Sequence, residues 1–250
     1  MDVSRVYAVR HSRLPWILGQ AGLLLVGAFI YFRIRGLTDA ARDTALEHSR
    51  DIVAFEKATD LHFERAFQRP VETSETMEAL ANWVYIWGHW PVIIVTMIWL
   101  AWRHRPDFLR LRDAMMVSGA LGMVIFVTYP VAPPRLANLG LVDTVTENSR
   151  AYRVLQPPAF VNQYAAMPSL HAGWDLLVGM AIFTAATSVT LKVVGCVMPV
   201  MMAGAVIATA NHYVVDVIAG IALVLLGHVV ALALERRRIR QGTEPPPEPP

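Results

Sequence analysis

Six apolar runs divide the chain, each near the roughly 20 residues that a helix needs to cross the hydrocarbon core of a bilayer. They cover Leu14 to Phe32, Ala81 to Trp102, Ala114 to Val131, Leu170 to Thr187, Leu191 to Asn211 and Val214 to Leu234. Charge, proline or a polar pair bounds each run. Only His212 and Tyr213 part the last two, yet one helix through both would hold about 44 residues and far exceed the membrane thickness. Arg5, Arg10 and Arg13 precede the first run as they would precede a signal peptide. Its length and the lack of a small-x-small cleavage pattern favour a retained span. Residues 38–69 differ from all six: charges of both signs alternate there with Leu46, Val53, Phe55, Phe63 and Phe67. That pattern fits an amphipathic helix lying on a leaflet, and equally a solvated helix capping the bundle.

Composition agrees with the pattern. Of 250 residues, 55% are hydrophobic and 17% charged, whereas a soluble domain carries roughly a quarter charged residues. The balance excludes disorder over most of the length. One cysteine, Cys196, excludes a disulfide scaffold. A net charge of +2 gives no global field for nucleic acid. With a cytoplasmic N-terminus, the inner segments carry twelve basic residues and the outer segments ten, but the outer segments are about twice as long and hold twelve of the twenty acids. The positive-inside rule therefore places both termini in the cytoplasm. The expected fold is all-α, a polytopic six-helix transmembrane bundle in the cell membrane with an extracytoplasmic amphipathic helix between the first two spans. It divides into a cytoplasmic N-terminus (1–13), the first span with the outer amphipathic segment (14–80), a transmembrane core (81–235) and a disordered, proline-rich cytoplasmic tail (236–250).

Three polar segments carry chemistry, and the alternating topology brings all three to the outer surface. Residues 129–135 (YPVAPPR) leave the third run, 164–175 (YAAMPSLHAGWD) enter the fourth, and 209–216 (TANHYVVD) join the fifth and sixth. His171 stands just inside a helix start, after Pro168 and Ser169. Proline suits a first turn and serine caps it, and the N–H groups exposed there can hold an anion. His212 and Asp216 are four residues apart, which on a helix sets them on one face within bonding reach. A carboxylate bonded to one ring nitrogen leaves the other as base or nucleophile; a structural ion pair between helices is the alternative. Arg135 follows three prolines that stiffen its loop, and its guanidinium fork suits phosphate or simply snorkels at the membrane border. Asp175, four residues after His171, either orients that histidine or caps an inter-helix network. His89, inside the second run, is either structural or part of a substrate cavity.

These residues resemble the type 2 phosphatidic acid phosphatase superfamily, whose motifs are KxxxxxxRP, PSxH and SRxxxxxHxxxD. The second is intact as Pro168-Ser169-Leu170-His171, and the third keeps His212 and Asp216. Ala205 and Val206 stand where the third motif has Ser-Arg, and no lysine stands seven residues before an Arg-Pro pair near Arg135. The forms PPR, MPSLHAGW and NHYxxD look like the inositol phosphorylceramide synthase-like branch, which moves headgroups between lipids. The resemblance implies that His212 attacks phosphorus, Asp216 orients it, and His171 protonates the leaving alkoxide and then activates the acceptor. It implies phosphate binding by Arg135 and the Ser169 turn, with Arg150, Arg153 and Asn211 as candidates for the missing clamp. Asn162 and Tyr164 are neutral donors, and Asp175 is a supporting group. It implies no cofactor and no metal, a lipid phosphate substrate held in the bilayer, and no nucleic-acid partner.

Two other classes compete. His171, His212 and Asp216 could supply three zinc ligands with an open position, although no HExxH is present. A proton-coupled transporter or haem protein would use the histidines without hydrolysis, but haem ligands face each other within a bundle rather than sharing one end. Phosphatidic acid, a prenyl pyrophosphate and an inositol phospholipid all fit as substrate, and water and an alcohol both fit as acceptor. Nothing in the pattern implies a particular oligomeric state.

Overall fold

The computed structural model describes residues 15–27, 29, 42–145 and 163–242. Its described residues form helices, with a single isolated bridge between Val131 and Ala165. In chain order these are α1 (Pro15–Gly27), α2 (Arg42–Ala58), α3 (Glu64–Thr73), α4 (Glu75–Trp87), α5 (Trp90–Arg103), α6 (Arg105–Thr128), a 3-10 turn (Pro134–Leu136), α7 (Leu170–Ala185), α8 (Val189–Ala208) and α9 (Val214–Arg240).

Three of these, α6, α8 and α9, are long and apolar enough to cross a membrane, and α4 with α5 forms a fourth candidate bent by 42°. The six expected spans are therefore met in part. The run read as one helix from Ala81 to Trp102 is two, because Pro91 in the first turn of α5 lacks an N–H and its ring crowds the carbonyl four residues back. α7 has 16 residues, about 24 Å at 1.5 Å per residue, short of the roughly 30 Å hydrocarbon core. α1 is shorter still among the described residues. The break between α8 and α9 falls at Thr209 to Tyr213, so the long apolar stretch is divided where the polar residues stand.

α6, α7 and α9 surround a core that includes Leu111, Ala114, Leu177, Val178, Val224 and Ala231. Side chains such as Val197 and Val200 on α8 and Leu226 and Val229 on α9 point outward, as lipid-facing positions do. Between lipid-facing helices, close packing rather than water exclusion drives association. The α7–α9 contact shows this: a Cβ on Gly173 would meet Gly220 O at 2.9 Å, and one on Gly220 would meet Ser169 O at 2.2 Å. Two glycines thus let the start of α7 touch the start of α9.

The soluble-looking stretch 38–69 is two helices rather than one, α2 and α3, broken over Thr59 to Phe63. They cover the bundle end at which α6 and α8 finish and α7 and α9 begin. Ala45, Ile52 and Val53 are buried, while Phe55, Phe63 and Phe67 are exposed. One face therefore caps the bundle, and the other presents aromatic rings outward. The opposite end holds Arg103, Arg105, Arg110 and Arg112, Lys192 near the start of α8, and Arg236 to Arg240. There Arg110 grips Glu235 with two bonds of 2.9 and 2.8 Å, and a cavity lined by Asp107, Arg110, Leu177 and His228 lies between helices.

Candidate active site

The three polar segments meet beneath the α2–α3 cap. Val131 N–H donates to Tyr164 O (2.8 Å), and Ala166 N–H donates to Val131 O (3.1 Å). This short bridge ties YPVAPPR to the segment leading into α7. Ser169 N–H donates to Asp216 O at 2.8 Å, tying that segment to α9. Tyr213, wholly buried, donates its hydroxyl to Ala132 O at 3.2 Å. Ser49 on α2 donates to the same carbonyl at 3.2 Å, and Ala132 N–H donates to Ala45 O at 3.1 Å.

His171 and His212 come together, their ring centroids 5.9 Å apart. His171 lies in the first turn of α7, where the Ser169 hydroxyl accepts Ala172 N–H at 3.4 Å. His212 is not on a helix. It sits in the turn before α9, its N–H bonded to Val206 O at 3.0 Å. Its Nδ1 lies 2.7 Å from Ala166 O. A carbonyl only accepts, so Nδ1 carries the proton and Nε2 holds the lone pair. Asp216 Oδ2 is farther from Nδ1, at 3.6 Å, and accepts Tyr213 N–H at 2.8 Å. Asp216 is thus an N-terminal cap of α9 as well as a charge beside the imidazole.

Asp175 does not bond His171. It pairs with His89 at 2.7 Å, both of them buried. The His89 ring stands 4.4 Å from the His171 ring, and Tyr85 stacks on His171 at 4.9 Å. His171 therefore packs against two rings, one of them oriented by a carboxylate. His89 enters as a member of the site; its only sequence signal was a histidine within an apolar run.

Arg135 lies in the 3-10 turn with its Nε 3.1 Å from Asp143 Oδ2 and its Nη1 bonded to Asn211 Oδ1. Asn211 donates its amide to Thr209 Oγ1 at 2.9 Å, so it aims Arg135 rather than standing ready for a ligand. Tyr164 enters through its backbone carbonyl in the bridge. Arg150, Arg153 and Asn162 lie outside the described residues. Val206, at the position where the resembling motif has arginine, is fully buried, and its carbonyl accepts both Asn211 N–H and His212 N–H. That position shapes the turn of His212 and offers no charge.

The cap closes the site with carboxylates. Glu56 Oε1 accepts Val215 N–H at 2.9 Å, and Glu64 Oε1 accepts Val214 N–H at 3.0 Å. An ionised carboxylate at a helix N-terminus contributes about 0.3–1 kcal/mol, and up to about 2 when partly buried, whereas a protonated one still accepts the N–H without the charge. Burial pushes the Glu56 carboxyl up to about 8, and the neighbouring Glu64 adds to the rise.

A family model for the PAP2 superfamily matches residues 50–230, from the second half of α2 into α9. The chain belongs to that superfamily, and membership supports a phosphatase. Comparison with curated proteins and with solved structures gives no match.

Proposed function

We propose that this PAP2 superfamily member is an integral-membrane lipid phosphatase or phosphotransferase working through a phosphohistidine on His212. The observation that carries the reading is the pairing of two imidazoles 5.9 Å apart, one of which keeps its Nε2 lone pair because Ala166 O holds the Nδ1 proton. His212 Nε2 attacks phosphorus and forms an N–P bond. The P–O bond to the lipid breaks, and the departing oxygen takes a proton from His171. Water or an alcohol then gives a proton to His171 and attacks phosphorus, and the N–P bond breaks to restore neutral His212. Asp216 and Ala166 O stabilise the charge that develops on the ring, and Arg135 with the N–H groups at the start of α7 faces the phosphoryl oxygens. The chemistry is positioning and charge stabilisation, and no step uses a metal.

Headgroup transfer, as in the inositol phosphorylceramide synthase-like branch, is the second reading. What favours it is the apolar Val206 in place of the hydrolases' arginine, together with the PPR and NHYxxD forms. The site faces the extracytoplasmic side in this reading, because the arginine-rich end of the bundle lies opposite and basic residues mark the inner face.

The test is release of inorganic phosphate from phosphatidic acid, a prenyl pyrophosphate and an inositol phospholipid in detergent, with and without an alcohol acceptor and with and without chelator. At least one substrate turns over at an unchanged rate in chelator at 25 °C, and His212→Ala abolishes it. Full turnover by purified His212→Ala protein refutes the assignment. Dominant transfer to the alcohol selects the synthase-like reading.

A further inference from the structure

The cap holds a second group of ligand-type side chains that the phosphoryl chemistry does not use. Glu56 lies in the last turn of α2, His62 in the break that follows, and Glu64 opens α3. The two carboxylates are 0% and 1% exposed. Each gives one oxygen to the N-terminus of α9, as described above, and turns the other inward. Those second atoms, Glu56 Oε2 and Glu64 Oε2, are buried and accept no N–H or O–H from another residue type among the described residues; the two carboxyls instead lean on each other, a contact that requires a proton between them. His62 Nδ1 stands 3.7 Å from the first and 2.9 Å from the second, the closer approach falling short of hydrogen-bond alignment. One ligand atom from each residue lies within 4.8 Å of the others.

Two facts make this more than an acidic cluster. The first is crowding: Glu56 and Glu64 lean on each other at a buried helix end beside Asp216, and among the described residues His62 is the only basic group within ion-pair distance of either glutamate. Two carboxyls held together in a buried site are costly unless a proton or a cation sits between them. The second is geometry. Zinc bound tetrahedrally at about 2.0–2.2 Å from nitrogen and oxygen ligands separates those ligands by roughly 3.3–3.5 Å, and the distances from His62 bracket that range. The His62 side chain is 35% exposed, which gives an ion a route in and leaves a fourth position for water.

We propose that Glu56, His62 and Glu64 bind one divalent transition-metal ion, zinc by donor set, that braces the α2–α3 cap on the N-terminus of α9. The ion displaces the proton between the two carboxyls, and with two carboxylates and a neutral imidazole it makes a neutral centre. It does so without disturbing the Oε1 bonds to Val214 and Val215. The brace is structural and stands independently of the catalytic reading. Because the site is assembled from two helices and the turn between them, binding adds to folding stability.

The experiment uses the full chain in detergent, stripped with chelator, then titrated with zinc sulfate and, separately, with magnesium and calcium salts. Metal content is read by elemental analysis and stability by thermal unfolding. The expected result is about one zinc per chain more in the wild type than in His62→Ala, with a zinc-dependent rise in Tm that His62→Ala and Glu56→Gln both lose. Glu56→Gln keeps a carbonyl oxygen for Val215 N–H while removing an anionic ligand. His62→Ala touches neither helix cap, so it decides the matter even if Glu56→Gln fails to fold. Equal zinc content and equal Tm shifts in the wild type and His62→Ala overturn the proposal, and the two glutamates then share a proton instead. A Tm rise with magnesium or calcium but not zinc overturns it as well.

Discussion

His171 protonates the leaving oxygen in this account, and its geometry depends on residues that never touch phosphate. General acid catalysis contributes about 10²–10⁴-fold, so His171→Ala should slow phosphate release by that order while leaving the His212 nucleophile in place. Steady-state kinetics on the detergent-solubilised protein checks it. His89 acts through His171. With Asp175 bonded at 2.7 Å it is locked, and its ring packs against the acid at 4.4 Å. His89→Ala should lower kcat by up to about 10²-fold, the scale of a misplaced catalytic group, with little change in KM and a broadened pH profile; an equal change in KM and kcat would point to substrate binding instead. PSxH and HxxxD could be read from the chain because each motif lies within one turn of one helix end. The His89–Asp175 pair could not, since 86 residues separate its members. The role of Ala166 O in setting the His212 tautomer was also hidden, because a backbone carbonyl leaves no mark in side-chain identity.

At the scale of elements, the site exists because helix ends are brought unusually close. α7 and α9 meet through Gly173 and Gly220, and Ser169 N–H reaches Asp216 O across that contact. Gly220→Ala places a Cβ against a backbone atom that cannot swing away. Overpacking of this kind costs about 1–3 kcal/mol, so Tm should fall, and phosphate release should fall further than stability alone explains because the two imidazoles separate. The opposite result, lower Tm with full activity, would show that the α7–α9 approach is structural only. The apolar runs made most helices legible, but not their ends or bends. Pro91 stands in the second run, but a run's length and hydrophobicity do not register the break it makes. The cap was legible as amphipathic. Its break and its two glutamate caps on α9 were not, because Glu56 and Val215 are 159 residues apart.

As a whole molecule, the protein is a helical bundle with chemistry at one end and basic charge at the other. The alternation expected of six spans puts 129–135, 164–175 and 209–216 at one level, and in the fold backbone bonds join those segments. The proposed orientation has a direct check. In a Cys196→Ser background, Lys57→Cys on the cap should react with a membrane-impermeant maleimide on intact cells, and Gln241→Cys beyond α9 should react only after permeabilisation; the reverse pattern inverts the topology. The central claim concerns what forms on His212 during turnover. The measurement is to quench the purified wild type, His171→Gln and His212→Gln during reaction with the radiolabelled lipid phosphate that gives turnover, and to assay the chain for an acid-labile, base-stable phosphoryl group. The account predicts label on His212 in the wild type and none in His212→Gln. Turnover with no label at His212, or label that persists in His212→Gln, would contradict it.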